Sequence, residues 1–299
     1  MINIIVFLKI GIKDNVTTLL VSLSTSDIMF LALITPSACS YIIIYFIPDW
    51  QWTIHRGLME ELLYWPAFTF YDFSSYISVW LGVTRCACVA MPLQFKSVFT
   101  KARSVKTALI LFILAVSLRM PVLTMFRLEW MTDSHTNSSL LFLKRSNSDV
   151  IIRFNDILNR SCLPWMNFII MIICVGVIKF KLYQASIVRK SHKAISTSDS
   201  IPERQDHQGK SSQDLRVIQS VVLICCIFIV SQLPFLAYSI GRRISPEFDI
   251  FGRLQNLFFI CSAISRTCSY LNASVNIFVY YNYNSKYKSV FLSMLKLKS

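Results

Sequence analysis

Between Val217 and Ile240 the chain carries no charged residue, and that run settles the fold class before any other feature does. A helix of about 20 apolar residues crosses the hydrocarbon core of a bilayer. In that solvent every backbone N–H and C=O must be bonded within the protein, which leaves helices and closed barrels as spanning elements. Comparable runs recur along the chain, broken only by single charges: Asp27 in the second, Asp72 in the third, Arg119 late in the fourth and Arg266 in the seventh. They are too uniformly apolar for the two-residue alternation of barrel strands. The sequence therefore predicts an all-α membrane protein, a seven-transmembrane helix bundle in one domain over 1–299. Its helices fall at about 1–11, 17–47, 60–90, 105–126, 162–186, 214–240 and 254–283, the first of them truncated. A flexible cytoplasmic loop is expected at 190–209, and a short amphipathic helix at 285–297 lies on the inner membrane surface.

Only 15% of the residues are charged, against roughly a quarter in a soluble domain. The net charge of +14 raises the possibility of nucleic acid, but no basic stretch is interleaved with aromatics outside the apolar runs, so no nucleic-acid partner is expected. Orientation in a lipid bilayer explains the charge better. One set of loops holds Lys9 and Lys13, then Lys96, Lys101, Arg103 and Lys106, then a basic cluster between Lys179 and Arg216, and finally the lysines of the tail. The opposite set is poorer in basic residues and richer in acids, so the first set is cytoplasmic. The loop from Arg119 to Ser161 is then outside, and its two sequons, at Asn137 and Asn159, are candidate glycosylation sites. Nine cysteines contain no C-x-x-C pair and no histidine cluster, which gives no support to a metal or redox site. No catalytic residues are assigned, and an enzyme is not expected.

The charges inside the apolar runs are the functional candidates, because each is expensive there. Asp27 should face the bundle interior, with Ser74, Asn272 and Asn276 as partners. Two readings stand: a polar pocket holding water or a small cation, or a single acid bonded to neighbouring hydroxyls. Asp72 is two residues before Ser74 and so points to another face of its helix. Arg85 closes the run from Leu62 to Thr84, either as a functional charge or as an arginine snorkelling to the headgroups.

At this point the residues reach a family. The segment LLVSLSTSD ending at Asp27 and the triplet Thr84-Arg85-Cys86 followed by AMPLQF resemble rhodopsin-like (class A) G-protein-coupled receptors. So do Phe228 six residues before Pro234 and the stretch Asn272-Ala-Ser-Val-Asn276-Ile-Phe-Val-Tyr280. The resemblance runs from Asn3, the asparagine matched to the first helix, to about Phe291. It implies a multi-pass plasma-membrane receptor that couples an extracellular ligand to a heterotrimeric G protein. Arg85, Asp214, Tyr280 and Asn276 then resemble the G-protein switch, with Asp214 as the resting partner of Arg85. Asp27, Ser74, Asn272 and Asn276 resemble the family's sodium pocket, which makes a sodium ion at Asp27 the one ion implied and no other cofactor. Pro234 resembles the kink proline of the sixth helix. The departures are equally plain. Thr84 and Cys86 replace an acid and a tyrosine, Gln232 stands for the sixth-helix tryptophan, Ile277 for a proline, and Glu60 for the cysteine of the outer disulfide.

Ala67 occupies the position of the aminergic acid and Tyr270 that of the opsin lysine, so amines and retinal are disfavoured. Arg266, Tyr270, Phe68, Tyr71, Phe235 and Arg242 are the expected ligand-binding residues. The arginines point to an extracellular peptide or small acidic ligand. With glutamine before Pro234, the chain most resembles invertebrate neuropeptide receptors of the FMRFamide or myosuppressin kind, and a neuropeptide is the expected ligand. Three alternatives remain at this stage: a non-signalling homologue, a chemosensory receptor for a small acidic ligand, and a transporter.

Overall fold

The computed structural model describes residues 2–12, 14–46, 56–132, 139–145, 149–195, 205–249 and 252–296. Helix α1 (Ile2–Ile10) stops at Gly11, whose φ of 86° lies in the left-handed region where a side chain is strained. The Gly11 amide donates back to the Phe7 carbonyl at 3.1 Å, closing the helix end. Helix α2 (Asn15–Phe46) runs antiparallel to α3 (Arg56–Ala90) as its main neighbour. A short α4 (Pro92–Val98) starts on a proline, which has no amide to leave unsatisfied there. Thr100 then caps α5 (Lys101–Leu123) by accepting from the Arg103 amide.

Outside the bundle, β1 (Phe126–Thr132) pairs antiparallel with β2 (Ser139–Arg145), Phe126 opposite Arg145 and Thr132 opposite Ser139. Its base is tied to α3 by the Trp65 and Phe126 rings, 6.3 Å apart. Helix α6 (Asp149–Ile157) then passes through a π-helical turn, Leu158–Cys162, into α7 (Leu163–Ile195). Helices α8 (Gln205–Ile244), α9 (Gln255–Tyr283) and α10 (Ser285–Lys296) complete the chain.

Five spans among the described residues are long and apolar enough to cross a membrane, in α2, α3, α5, α6–α7 and α8. Helix α9 has the length, but Arg266, Asn272 and Asn276 make it more polar, and it packs against α8 and α2 instead of presenting a wholly apolar surface. The α5 span is only 22% buried and the α3 span 61%, so α3 runs through the middle of the bundle and α5 lies at its edge. The exposed faces of α5 and α7, with Leu109, Ile110 and Ile113 on one and Ile169, Ile172 and Ile173 on the other, suit lipid. The inner half of the core is built on Phe7, Leu23, Ile77, Leu81, Met171, Phe228 and Tyr280, and a smaller outer cluster on Phe30, Ile34 and Ala67. Helices α3, α7 and α8 meet closely at Gly82, where an added Cβ would lie 3.0 Å from Met171 Sδ and 3.4 Å from Cys225 Sγ.

Four expectations need correction. The outer loop contains a hairpin, visible beforehand only as the alternation Phe126, Leu128, Trp130. The fifth helical rod begins at Asp149, well before residue 162, because the Asp156–Arg160 pair at 3.2 Å supports a helix where polar residues suggested a loop. The inner loop is shorter than 190–209: residues 190–195 continue α7 and 205–209 begin α8, with 196–204 outside the described residues. Arg119 lies within α5 and is buried, so it does not belong to the outer loop's charge.

Candidate ligand cavity and inner switch

The second and ninth helices place Asp27 and Asn276 face to face in the middle of the bundle, and α3 supplies Ser74. Asp27 is buried; its Oδ1 accepts from Ser74 Oγ at 2.6 Å and its Oδ2 from Asn276 Nδ2 at 2.8 Å. Two of the three expected partners thus bond Asp27 directly. Asn272, one turn earlier on α9, is buried but is not among Asp27's hydrogen-bond partners. The carboxylate and the Ser74 hydroxyl are hard oxygen donors, suited to a small hard cation and unsuited to a soft transition metal. Among the described residues no group of three His, Cys, Asp or Glu residues converges on a metal position.

Outward of Asp27 lies a cavity of about 80 Å³ between α3, α5, α7, α8 and α9. That volume holds roughly half a dozen waters. Phe68, Tyr71, Phe235 and Arg266 line it as expected. Gln232, at the tryptophan-switch position, crosses its floor: Gln232 Nε2 donates to Tyr71 Oη at 2.6 Å, joining α8 to α3. Arg266 reaches from α9, half-buried, and donates to Ser262 Oγ at 3.1 Å. Asn159 contributes a carboxamide oxygen that accepts nothing from the described residues, leaving an acceptor in the wall for water or ligand.

The wall also holds an ion pair that the sequence named only as two separate oddities. Arg119 Nε donates to Asp72 Oδ2 at 2.6 Å, linking α5 to α3, with Arg119 buried and the Asp72 side chain only 16% exposed, and the guanidinium lies 6.0 Å from the Trp65 ring centre. The signal was available, since two opposite charges inside neighbouring apolar runs should find each other. Arg160 was missed as a site residue too; it lines the cavity at its outer edge, against Tyr64 and Tyr238.

Three expected site residues fall elsewhere. Tyr270 is not in the cavity wall: its ring packs on Phe30, centroids 5.8 Å apart, because α9 turns that face toward α2. Arg242 lies outside the inner cavity, held by both Asp249 oxygens at 3.1 and 3.2 Å and over the Phe258 ring at 5.7 Å. Asn159 does not suit a glycan. It is buried in the π-helical turn, and its Nδ2, the atom a glycan would occupy, donates to Leu118 O at 2.9 Å and Asn155 Oδ1 at 3.0 Å. Asn137 lies outside the described residues.

At the inner end Arg85 is buried, and the neighbouring Thr84 hydroxyl bonds back to Leu81 O at 2.8 Å. Asp214 lies on the α8 backbone, with its side chain outside the described residues. Pro234 is inside α8, where it removes one backbone bond and lets the helix bend. Tyr280 is buried beneath Asp27 in an aromatic cluster, 5.1 Å from Phe7 and 5.8 Å from Tyr287. Asn3 sits on α1, the helix to which its sequence position matches it. It accepts from Tyr287 Oη at 2.5 Å, joining α1 to α10. Burial pushes the Tyr287 phenol up to about 12, so it stays a neutral donor throughout the physiological range. All nine cysteines are free thiols.

The family profile described as 7 transmembrane receptor (rhodopsin family) matches residues 1–280. No curated protein matches the chain.

Proposed function

The chain belongs to the rhodopsin family of seven-transmembrane receptors, and from that premise we propose that it is a plasma-membrane receptor for an extracellular ligand bearing an acidic group, most simply a neuropeptide, signalling through a heterotrimeric G protein. The family is non-enzymatic, and the chain is a multi-pass membrane protein.

One observation carries the ligand class. Arg266 faces the cavity with only a serine hydroxyl as its partner among the described residues, whereas Arg119 and Arg160 beside it each hold a carboxylate. A half-desolvated guanidinium gains most from a planar carboxylate or a comparable anion. Phe68, Tyr71 and Phe235 supply the apolar walls such sites use.

Signalling follows as a population shift: a ligand that binds the arrangement with α8 swung outward at Pro234 more tightly than the resting one favours it by that difference. Arg85 is the proposed G-protein contact and Asp214 its resting restraint, while Asn276 and Tyr280 couple the central pocket to that end. A sodium ion held by Asp27 and Ser74 would favour the resting arrangement by adding charge to a pocket that must repack. Expressing the full chain and recording G-protein dissociation against a neuropeptide library tests the proposal. Arg266→Ala should weaken an acidic agonist at least about tenfold, as loss of a charged hydrogen bond does, with surface expression intact. Silence in every coupling class, with surface delivery confirmed, overturns the signalling reading.

A further inference from the structure

A second cavity, about 290 Å³, opens outward of the first, between α6, the π-helical turn, and the outer end of α8. Arg160, Phe235 and Tyr238 line both, so the two cavities adjoin across those side chains, and the path from the outer cavity to Arg266 runs past them. Four arginines line the outer one, Arg153, Arg160, Arg242 and Arg243, against two carboxylates, Asp156 and Asp249. The carboxylates are already engaged: Asp156 with Arg160 at 3.2 Å, Asp249 with Arg242 at 3.1 Å. Arg153 and Arg243 form no ion pair with the described residues; Arg243 bonds only the Ser161 hydroxyl, at 3.2 Å. In the inner cavity the Asp72–Arg119 pair cancels likewise and leaves Arg266. The path therefore has two centres of uncompensated positive charge, one at each end, with aromatic rings between them.

Two such centres in adjoining cavities match one molecule with an acid at each end. We propose that the receptor's ligand is an extended dianion, one carboxylate seated on Arg266 in the inner cavity and the other held in the outer one by Arg243 and Arg153. This rests on the acidic-ligand reading given above and specifies it. A monoanion would satisfy one centre and leave the other as exposed charge. A ligand with a cationic end would meet repulsion at either, so a peptide fits with two acidic groups and an N-terminal amine that is blocked or held outside both cavities. The outer arginines are solvent-accessible, so the second carboxylate loses less of its hydration than the first, and the outer centre contributes both affinity and a ruler for ligand length.

The test uses the full chain purified in nanodiscs, with straight-chain α,ω-dicarboxylates of graded length and the monocarboxylates of equal length as probes, read by thermal stabilisation across a concentration series. The expected result is a length optimum at which the dicarboxylate half-saturates at a roughly tenfold lower concentration than its monocarboxylate, the scale of one added charged hydrogen bond. Arg243→Gln with Arg153→Gln should bring that ratio toward one. Both residues are exposed, so folding is not at stake. Arg266→Gln should abolish stabilisation by the monocarboxylates. Equal affinity of mono- and dicarboxylates at every length, or a ratio indifferent to Arg243 and Arg153, overturns the dianion proposal. If the monocarboxylates still depend on Arg266, that failure leaves the acidic-ligand reading standing. Monocarboxylate stabilisation that survives Arg266→Gln, or no stabilisation by any probe, overturns both.

Discussion

At the scale of the residue, the Asp72–Arg119 pair is the most consequential contact in the bundle wall. Two desolvated charges recover their cost only while both are present, and removing one leaves the other stranded. Arg119→Gln alone should therefore lower stability by about 3 kcal/mol, and Asp72→Asn with Arg119→Gln should restore more than half of that loss. Thermal or denaturant unfolding of both single variants and the double variant reads the cycle; a double loss equal to the sum of the two single losses would show that the pair is not coupled. Sequence reading found each partner as an isolated charge in an apolar run but not the bond between them. Pairing across helices depends on the rotation of α3 and α5 about their axes, and uniformly apolar runs give no moment from which to read that rotation. The same blindness misplaced Tyr270, one turn from Arg266 yet facing Phe30. Asp27 with Ser74 and Asn276 was legible because a carboxylate in an apolar run must find polar partners, and the few polar residues of neighbouring runs, which the family resemblance also names, supply them. No such pattern existed for Gln232 with Tyr71, a bond peculiar to a chain with glutamine in place of tryptophan.

At the scale of the element, Gly82 sets how closely α3 approaches α7 and α8. The atom nearest an added Cβ is the sulfur of Met171, the flexible part of an adaptable side chain. Gly82→Ala should consequently be near neutral, whereas Gly82→Leu overpacks the contact and should cost about 1–3 kcal/mol or more. The two variants compared by thermal unfolding check this, and equal tolerance of both would mean that α3 is not held against its neighbours there. Helix existence was read correctly because charge-free length is a strong signal. Helix ends were not, because polar residues such as Asp156 and Arg160 stabilise a helix outside the hydrocarbon as readily as they decorate a loop. The hairpin escaped because one short alternating strand carries little weight beside spans of uniform apolarity.

At the scale of the whole molecule, the lysine and arginine bias gives an expected orientation, and glycan mapping tests it. With the hairpin segment outside, Asn137→Gln should remove any glycan of the receptor expressed in animal cells. Asn159→Gln should leave the glycoform pattern unchanged, because Asn159 Nδ2 is buried and bonded. A mobility shift before and after glycosidase treatment reads both, and a glycan on Asn159 would contradict its burial. The narrow inner cavity beneath the wider basic one also has a kinetic consequence. Encounter at the mouth is steered by long-range attraction and should slow as ionic strength rises past a Debye length of about 10 Å. Seating beyond Tyr238 takes place inside the inner cavity of about 80 Å³, and that step is less exposed to bulk ions than the encounter at the mouth. Association rates of an anionic ligand should thus fall with salt while dissociation rates hardly change, giving a receptor whose response time after ligand washout is set by the packing of its own interior rather than by the medium around it.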